Sequence, residues 1–487
     1  MKKFWVFRFN RYQLVALATG AVLMTYELVA ARLLAPTIGS STFVWTNVIG
    51  VIIAAMSVGY WLGGLLADKY RREVDIAFLC IAIAAGIMLT LMFYGSILGV
   101  IAENIGDARW QGLIASLLLF APTSLLLGMV SPYLAKFAVT STKSTGREVA
   151  SLSALNAIGS IVGTFLTGFV LFGAMGSRAI LFALVLVMLA VSWVIRPRTH
   201  AWWRVVIVGT LVVLAILPML PRESDEITID TPSATYVVKQ MPWGRDHVIG
   251  LLSGPTGTQS ATFVDELRKD ELVFWYTNTM TAALVSSEIE PRNILVIGGG
   301  AFSMPEWLAR KYPEAQVDVV EIDGELIGVA EKYFDFEYLE NIEIFIEDAR
   351  TFVARSDKKY DAVLMDVFGD GFIPWQLMTR EFGVMLGDIV SDDGILLVNT
   401  LLGTRGECQP LYGATHAAIG LGFNRSYIRR NARIESTVAN TVLVYTRGIP
   451  LELSGFMDNP MATSKPFTDD FAPIERLQQR CLINLQF

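Results

Sequence analysis

Histidine and cysteine are scarce, with three of each in 487 residues. His200, His247 and His416 lack the spacing of a metal site, and no two cysteines form a CxxC pair, which argues against a metal or dithiol centre. Charge is scarce as well: Asp, Glu, Lys and Arg make up 17% of the chain, where ordinary soluble domains carry roughly 25%. One uniformly soluble globule is therefore excluded. No low-complexity segment or strong tandem repeat is visible, so disordered, collagen-like and disulfide-scaffold readings fall away as well.

The charge that is present divides unevenly. Residues 1–221 hold 16 Lys and Arg against 7 Asp and Glu, a net of +9, while the rest of the chain carries −16. A nucleic-acid binder with a basic soluble domain is excluded by that sign. The division predicts a polytopic membrane domain over 1–221, a small β subdomain over 222–264 and a Rossmann-like domain over 265–487.

Apolar runs near 12–36, 43–66, 75–101, 110–138, 149–173, 179–195 and 205–220 predict about seven membrane spans, each close to the roughly 20 residues that cross the hydrocarbon core. The first run is too long for a cleavable signal peptide and is followed at once by another. Lys2, Lys3, Arg8 and Arg11 before span one, with further Lys and Arg after spans two, four and six, predict a cytoplasmic N-terminus. Seven spans would then put the acidic half outside; the chemistry argued below would place it in the cytoplasm, and both placements stay open. Of the cysteines, Cys80 falls in a span, and Cys408 and Cys481 could pair if their half is external. Gly59/Gly63 and Gly159/Gly163 have the spacing that lets helix backbones approach closely. Asn47 and Asn156 read as interhelical hydrogen-bond partners, and Pro122 and Pro132 as kinks in span four. Glu27 is a carboxylate in an apolar span, open between a pathway role and a structural pairing near Arg32.

After Pro221 the pattern changes. Residues 226–262 mix β-branched residues with turn residues, as in a small antiparallel sheet. A helix is expected from about 265, then strands at 293–298, 317–321, 342–346, 360–366 and 394–399, alternating with helices near 303–311, 324–333, 349–356 and 379–390. That alternation predicts a mainly parallel doubly wound sheet, whose ligands sit beyond the carboxyl ends of the strands. Those ends deliver Gly298, Gly299 and Gly300, then Glu321, then Asp348 with Ala349, then Asp366 with Asp370 close by. Glycines after a buried strand permit a tight turn and close approach of a nucleoside. An acid ending strand two suits both hydroxyls of a ribose. Asp348 is open between a helix N-cap and a hydrogen-bond acceptor for a purine amine. Asp323 reads as an N-cap. Asp366 is the best catalytic candidate: an alkylammonium has a pKa near 10 and must lose a proton before its nitrogen can attack carbon. Trp243, Trp275, Tyr276 and Trp375 could offer cation-attracting faces.

These residues resemble the membrane-bound, transporter-fused branch of the spermidine synthase (polyamine aminopropyltransferase) family. The likeness rests on GTQS (257–260), VFWYT (273–277), the triple glycine, VVEID (319–323), EDAR (347–350) and YDAVLMDVFGDGFIPWQLMTREF (360–382). In the membrane half it rests on YELVAARLLAPTIGSS, GYWLGGLLADK, APTSLLLGMVSPYL and SLSALNAIGSIVGTFLTGFVL, and GGLLADKYRR is also similar to a cytoplasmic loop of major-facilitator transporters. The resemblance implies transfer of an aminopropyl group from decarboxylated S-adenosylmethionine to putrescine or a related polyamine, giving spermidine and methylthioadenosine. It implies a cosubstrate and no tightly bound cofactor, a location in the cell's inner membrane, and compatibility with a homodimer. By position, Glu321 would hold the ribose, Asp348 the adenine, Asp366 the reacting amine and its proton, and Gln259 and Tyr276 the donor or diamine. Three departures stand against it. Ala301 replaces an acid after the glycines, Thr277 replaces a histidine, and Asp370 lies four residues after Asp366 where the family has an acid at three. Intact S-adenosylmethionine as donor, a methyltransferase, and a transporter with an inactive or sensing domain therefore stay open as alternatives.

Overall fold

The computed structural model describes residues 10–39, 41–70, 74–139, 145–195, 226–231, 233–253, 257–367, 374–431, 438–448 and 450–483. The apolar run 205–220 and Asp370 lie outside them. The chain divides into two compact units, Met1–Glu223 with Asp230–Ala234, and Ser224–Ile229 with Thr235–Phe487.

In the first unit, α1 (Arg11–Ile38) begins at a capping box in which the Asn10 side chain accepts from Gln13 N and the Gln13 side chain accepts from Asn10 N. It is followed by α2 (Thr42–Tyr70), α3 (Val74–Asn104), α4 (Ala108–Leu119), α5 (Ala121–Ala138), α6 (Thr145–Ala174, with a π turn at Thr167–Leu171) and α7 (Ser177–Val194). Five of these helices are long and apolar enough to cross a membrane, and α4 with α5 makes a sixth candidate bent by 52°. The bend falls at Phe120, where Pro122 lies in the first turn of α5 and its ring can only continue the helix from there. Six of the seven expected spans thus have helices among the described residues.

Small residues set the helix crossings. A Cβ built on Gly159 would come 1.9 Å from Leu17 O, and one on Gly163 would come 2.4 Å from Ala21 O, so α6 lies with its backbone against α1. Gly59 meets Leu125 O in the same way, at 2.2 Å, where α2 crosses α5. Asn156 Nδ2 donates to Ala16 O at 3.1 Å and Asn47 Nδ2 to Arg109 O at 2.8 Å, each joining two helices. The Arg32 guanidinium lies 4.4 Å from the Phe172 ring centroid.

The second unit opens with a four-stranded antiparallel sheet, β1 (Glu226–Asp230), β2 (Thr235–Trp243), β3 (Asp246–Ser253) and β4 (Gly257–Phe263). The helix expected from 265 begins later, as α8 (Trp275–Ser286); the charged stretch before it makes only a 3-10 turn at Glu266–Arg268. There follow β5 (Asn293–Ile297), α9 (Ser303–Lys311), β6 (Gln316–Glu321), α10 (Glu325–Tyr333), β7 (Ile342–Ile346), α11 (Ala349–Arg355), β8 (Tyr360–Met365), α12 (Arg380–Ile389), β9 (Val390–Leu402), α13 (Gln409–Ile419), β10 (Arg425–Arg430), β11 (Ala439–Thr446), β12 (Met457–Asp458) and α14 (Ile474–Ile483). The eight strands run in the order β12-β10-β11-β9-β8-β5-β6-β7. Pairing is parallel from β9 to β7 and antiparallel from β9 to β12, so the sheet is mixed rather than purely parallel. Ile294 to Ile297 and Ala362 to Met365 are wholly buried, as central parallel strands covered on both faces must be. The chain runs outward from β5 to β7 and then returns to β8 on the other side of β5. That reversal opens a crevice at the carboxyl ends of β5, β6 and β8.

Candidate active site

The crevice is a cavity of about 250 Å³ whose wall includes Gln259, Tyr276, Gly298, Gly299, Gly300, Glu321, Asp348, Ala349 and Asp366. Nine residues singled out from sequence are therefore brought to one place; the tenth, Asp370, lies outside the described residues. Tyr236, Ser260 and Gln376 also line it. Trp243, Trp275 and Trp375 do not. Trp243 packs edge-on to Phe274 at 5.6 Å, Trp275 lies under the Arg429 guanidinium at 5.7 Å, and Trp375 is exposed beside the cavity wall, so only Tyr276 of the four aromatic candidates faces it.

The glycines are required by geometry. Gly298 has φ +95° and Gly300 φ +55°, a region costly for any residue with a Cβ. A Cβ on Gly298 would also lie 2.1 Å from Asp366 O, and one on Gly300 2.4 Å from Ser260 Oγ. The turn is thus clamped between the end of β8 and strand β4 of the small sheet. Ser260 Oγ accepts from Ala301 N at 2.9 Å, which ties the two sheets together at the cavity. Ala301 itself is buried.

Glu321 closes the turn from the other side. Its Oε2 accepts from Gly299 N at 2.8 Å and Gly300 N at 3.3 Å, and its Oε1 accepts from Asp323 N at 3.0 Å. Burial pushes its pKa up, against the pull of these backbone N–H groups. With two lone pairs per oxygen, Oε2 is filled by its two bonds and Oε1 keeps one acceptor site for a ligand hydroxyl. Asp323 Oδ1 accepts from Glu325 N at 3.3 Å, but the N-cap of α10 is Gly324, one residue later than the position expected for Asp323. Asp348 is the N-cap of α11, with Oδ1 accepting from Thr351 N at 3.0 Å, and it lines the cavity as well, so the two readings of this residue are compatible. Gln259 Nε2 donates to Ser253 Oγ within the small sheet.

Asp366 stands at the inner end. Its Oδ1 accepts from Asn399 Nδ2 at 2.9 Å, Asn399 Oδ1 accepts from Asn440 Nδ2 at 3.2 Å, and the Tyr276 hydroxyl bonds to the same carboxylate. Burial pushes the Asp366 pKa up to about 6, while the bonds from Asn399 and Tyr276 hold it down. Burial and the neighbouring carboxylate push the Tyr276 phenol far above its ordinary value, so it stays protonated and keeps a hydrogen to donate. Burial, reinforced by Asp323 and Glu321, likewise raises Tyr236. A carboxylate near 6 is ionised at neutral pH and still basic enough to receive a proton.

Sequence reasoning missed Asn399, Ser260 and Tyr236. Asn399 was legible as the one amide ending the hydrophobic run GILLVN. Ser260 lay within the GTQS motif, and nothing in the pattern marked Tyr236.

Residues 273–401 match the family model described as "Spermine/spermidine synthase domain". The chain is 38% identical over 179 residues to "Polyamine aminopropyltransferase" of Vibrio vulnificus, covering 36% of this chain and 57% of that one. It is 30% identical over 143 residues to "Probable polyamine aminopropyl transferase" of Bifidobacterium longum, covering 29% of this chain and 30% of that one. Only part of each relative's length is therefore spanned. An "N-terminal histidine N-methyltransferase" of Emericella nidulans is 39% identical over 112 residues, 22% of this chain and 19% of that one. Among solved structures, a probable spermidine synthase from Corynebacterium glutamicum matches with a TM-score of 0.40 and 16% identity, over 48% of this chain and 93% of that one. Residues 273–401 are thus similar to spermine/spermidine synthase domains, with polyamine aminopropyltransferases among the relatives, and a set of long apolar helices precedes them.

Proposed function

We propose that this cavity transfers an aminopropyl group from decarboxylated S-adenosylmethionine to putrescine or a related diamine. The observation that carries the reading is Asp366, held by Asn399 and Tyr276 in the same cavity as the glycine turn and Glu321. The glycine turn gives a nucleoside backbone-close access. Glu321 Oε1 has a lone pair for a ribose hydroxyl, and Asp348 would accept from the amine of the base. Asp366 takes the proton from the attacking ammonium, whose freed lone pair forms the new N–C bond as the C–S bond of the sulfonium breaks. Neutral methylthioadenosine leaves, and the proton stays on Asp366 until solvent takes it. A displacement of this kind needs positioning and deprotonation more than covalent help.

A second donor is favoured by one observation. Ala301, directly after the glycine turn, supplies no carboxylate for the donor's amine, and one of the relatives is named a methyltransferase. Intact S-adenosylmethionine is the corresponding donor. The test is the detergent-purified chain incubated with putrescine and either donor, with products read by mass spectrometry and Asp366→Asn as control. Spermidine from the decarboxylated donor, lost in the variant, supports the transferase. Methylated amine from the intact donor supports the second reading, and no product from folded protein overturns both.

A further inference from the structure

The described helices of the first unit have two distinct ends. Lys136 at the end of α5 pairs with Asp68 at the end of α2 at 2.5 Å, and Gln13 at the start of α1 donates to Ser151 near the start of α6 at 2.8 Å. At the opposite end, Asn47 early in α2 bonds to Arg109 O at the start of α4, and Arg178 at the start of α7 donates to Tyr94 at 2.7 Å. Following the chain through these contacts, α1 to α7 make six passes, with α4 and α5 counted as one, and α7 ends on the face where α1 began.

That face is the basic one. Read along the sequence, the helix ends and connecting segments of that side carry Lys2, Lys3, Arg8, Arg11, Lys69, Arg71, Arg72, Lys136, Lys143, Arg147, Arg196, Arg198 and Arg204, against Arg32, Arg109 and Arg178 for the other. A bias of this size assigns it to the cytoplasm. Arg196, Arg198 and Arg204 are followed by Val205 to Leu220, a run of 16 residues without charge, entered through Trp202 and Trp203. Beyond it come Arg222, Glu223, Asp225 and Glu226. Three basic residues before the run against one, Arg222, just after it is the Lys and Arg bias of a segment that leaves the cytoplasm.

A separate observation lies in the second unit. Cys408, ending the 3-10 turn Gly406–Cys408, and Cys481 on α14 form a disulfide with Cα atoms 4.5 Å apart, 73 residues apart in sequence. Both are buried. Such bonds persist in oxidising compartments and are rare in the cytosol.

We propose that the synthase-type domain works on the non-cytoplasmic side of the membrane, carried there by residues 205–220 and closed by the Cys408–Cys481 disulfide. The bond forms by thiol–disulfide exchange: two thiols give up two protons and two electrons to a disulfide-bearing oxidant of that compartment, which leaves as a dithiol. If the aminopropyl-transfer reading holds, a consequence follows for supply. A sulfonium nucleoside does not cross hydrocarbon unaided, so donor made in the cytosol requires a carrier before this site can use it.

The test reads compartment and thiols, not activity, and its failure is separable from failure of the functional reading. The full chain is expressed in a bacterial host with a C-terminal alkaline phosphatase or a C-terminal green fluorescent protein. The phosphatase fusion is expected to be active and the fluorescent fusion dark. In parallel, cells are quenched in acid, denatured and treated with a polyethylene-glycol maleimide. One mass increment, from Cys80, is expected before reduction and three after it; Cys408→Ser gives two before reduction. A fluorescent fusion with an inactive phosphatase overturns the placement, and three increments before reduction overturn the disulfide.

Discussion

Asn399 Nδ2 donates to Asp366 Oδ1 at 2.9 Å from a neighbouring parallel strand, so the group argued to take the proton is oriented by an amide that touches no substrate in this scheme. Asn399 is 2% exposed and is itself held by Asn440. The bond favours the ionised carboxylate and offsets part of the burial that raises its pKa.

Asn399→Leu should therefore raise the Asp366 pKa and move the acid limb of the kcat/KM profile upward by about one pH unit, with a smaller effect at alkaline pH. Asn399→Asp adds a like charge and should move the limb further. An unchanged profile in folded Asn399→Leu would leave the asparagine a purely structural role.

The wild-type acid limb itself should fall near the Asp366 pKa of about 6. Activity should be lost as pH falls through that value, because the protonated carboxyl can no longer receive the ammonium proton. The check is kcat/KM between pH 5 and 9. A flat profile through that range would remove Asp366 from the proton-transfer step.

Asp366→Asn should abolish turnover and stabilise the fold at neutral pH. The folded pKa lies above the unfolded value near 3.9, so the carboxyl favours folding below about pH 4 and that advantage is lost as pH rises through about 6. Removing the charge should gain about 1–3 kcal/mol at pH 7 and little at pH 4, the usual trade of stability against function. Thermal unfolding of both proteins at the two pH values measures it.

Gly298→Ala forces a Cβ into a positive-φ residue and to within 2.1 Å of Asp366 O. It should cost about 2 kcal/mol or more and weaken nucleoside binding by displacing the turn. Calorimetry with methylthioadenosine, alongside Tm, separates the two effects.

Gly159→Leu tests the membrane unit. Its Cβ would meet Leu17 O at 1.9 Å, so α1 and α6 must separate. Detergent-solubilised protein should lose several degrees of Tm, while Ile161→Leu on the exposed side of α6 changes little.

Much was legible along the chain, for a local reason. Helix and strand periods are set by neighbours in sequence, so the carboxyl ends of β5, β6 and β8 could be located, and Gly298, Glu321 and Asp366 with them. The glycine pairs Gly59/Gly63 and Gly159/Gly163 marked helix crossings because only a residue without a Cβ permits that approach. The tertiary structure alone decided contacts between distant segments: Ser260 of the small sheet clamping the glycine turn, Asn399 orienting Asp366, the antiparallel strands β10 to β12 at the sheet edge, and Cys408 meeting Cys481. It also sent three tryptophans away from the cavity, because a side chain's direction there depends on packing rather than on its place in a motif. Composition separated a half of long apolar, candidate membrane helices from an acidic half, since the cost of charge in hydrocarbon is paid residue by residue. The shape of the site was decided by which strand ends the sheet order brings together.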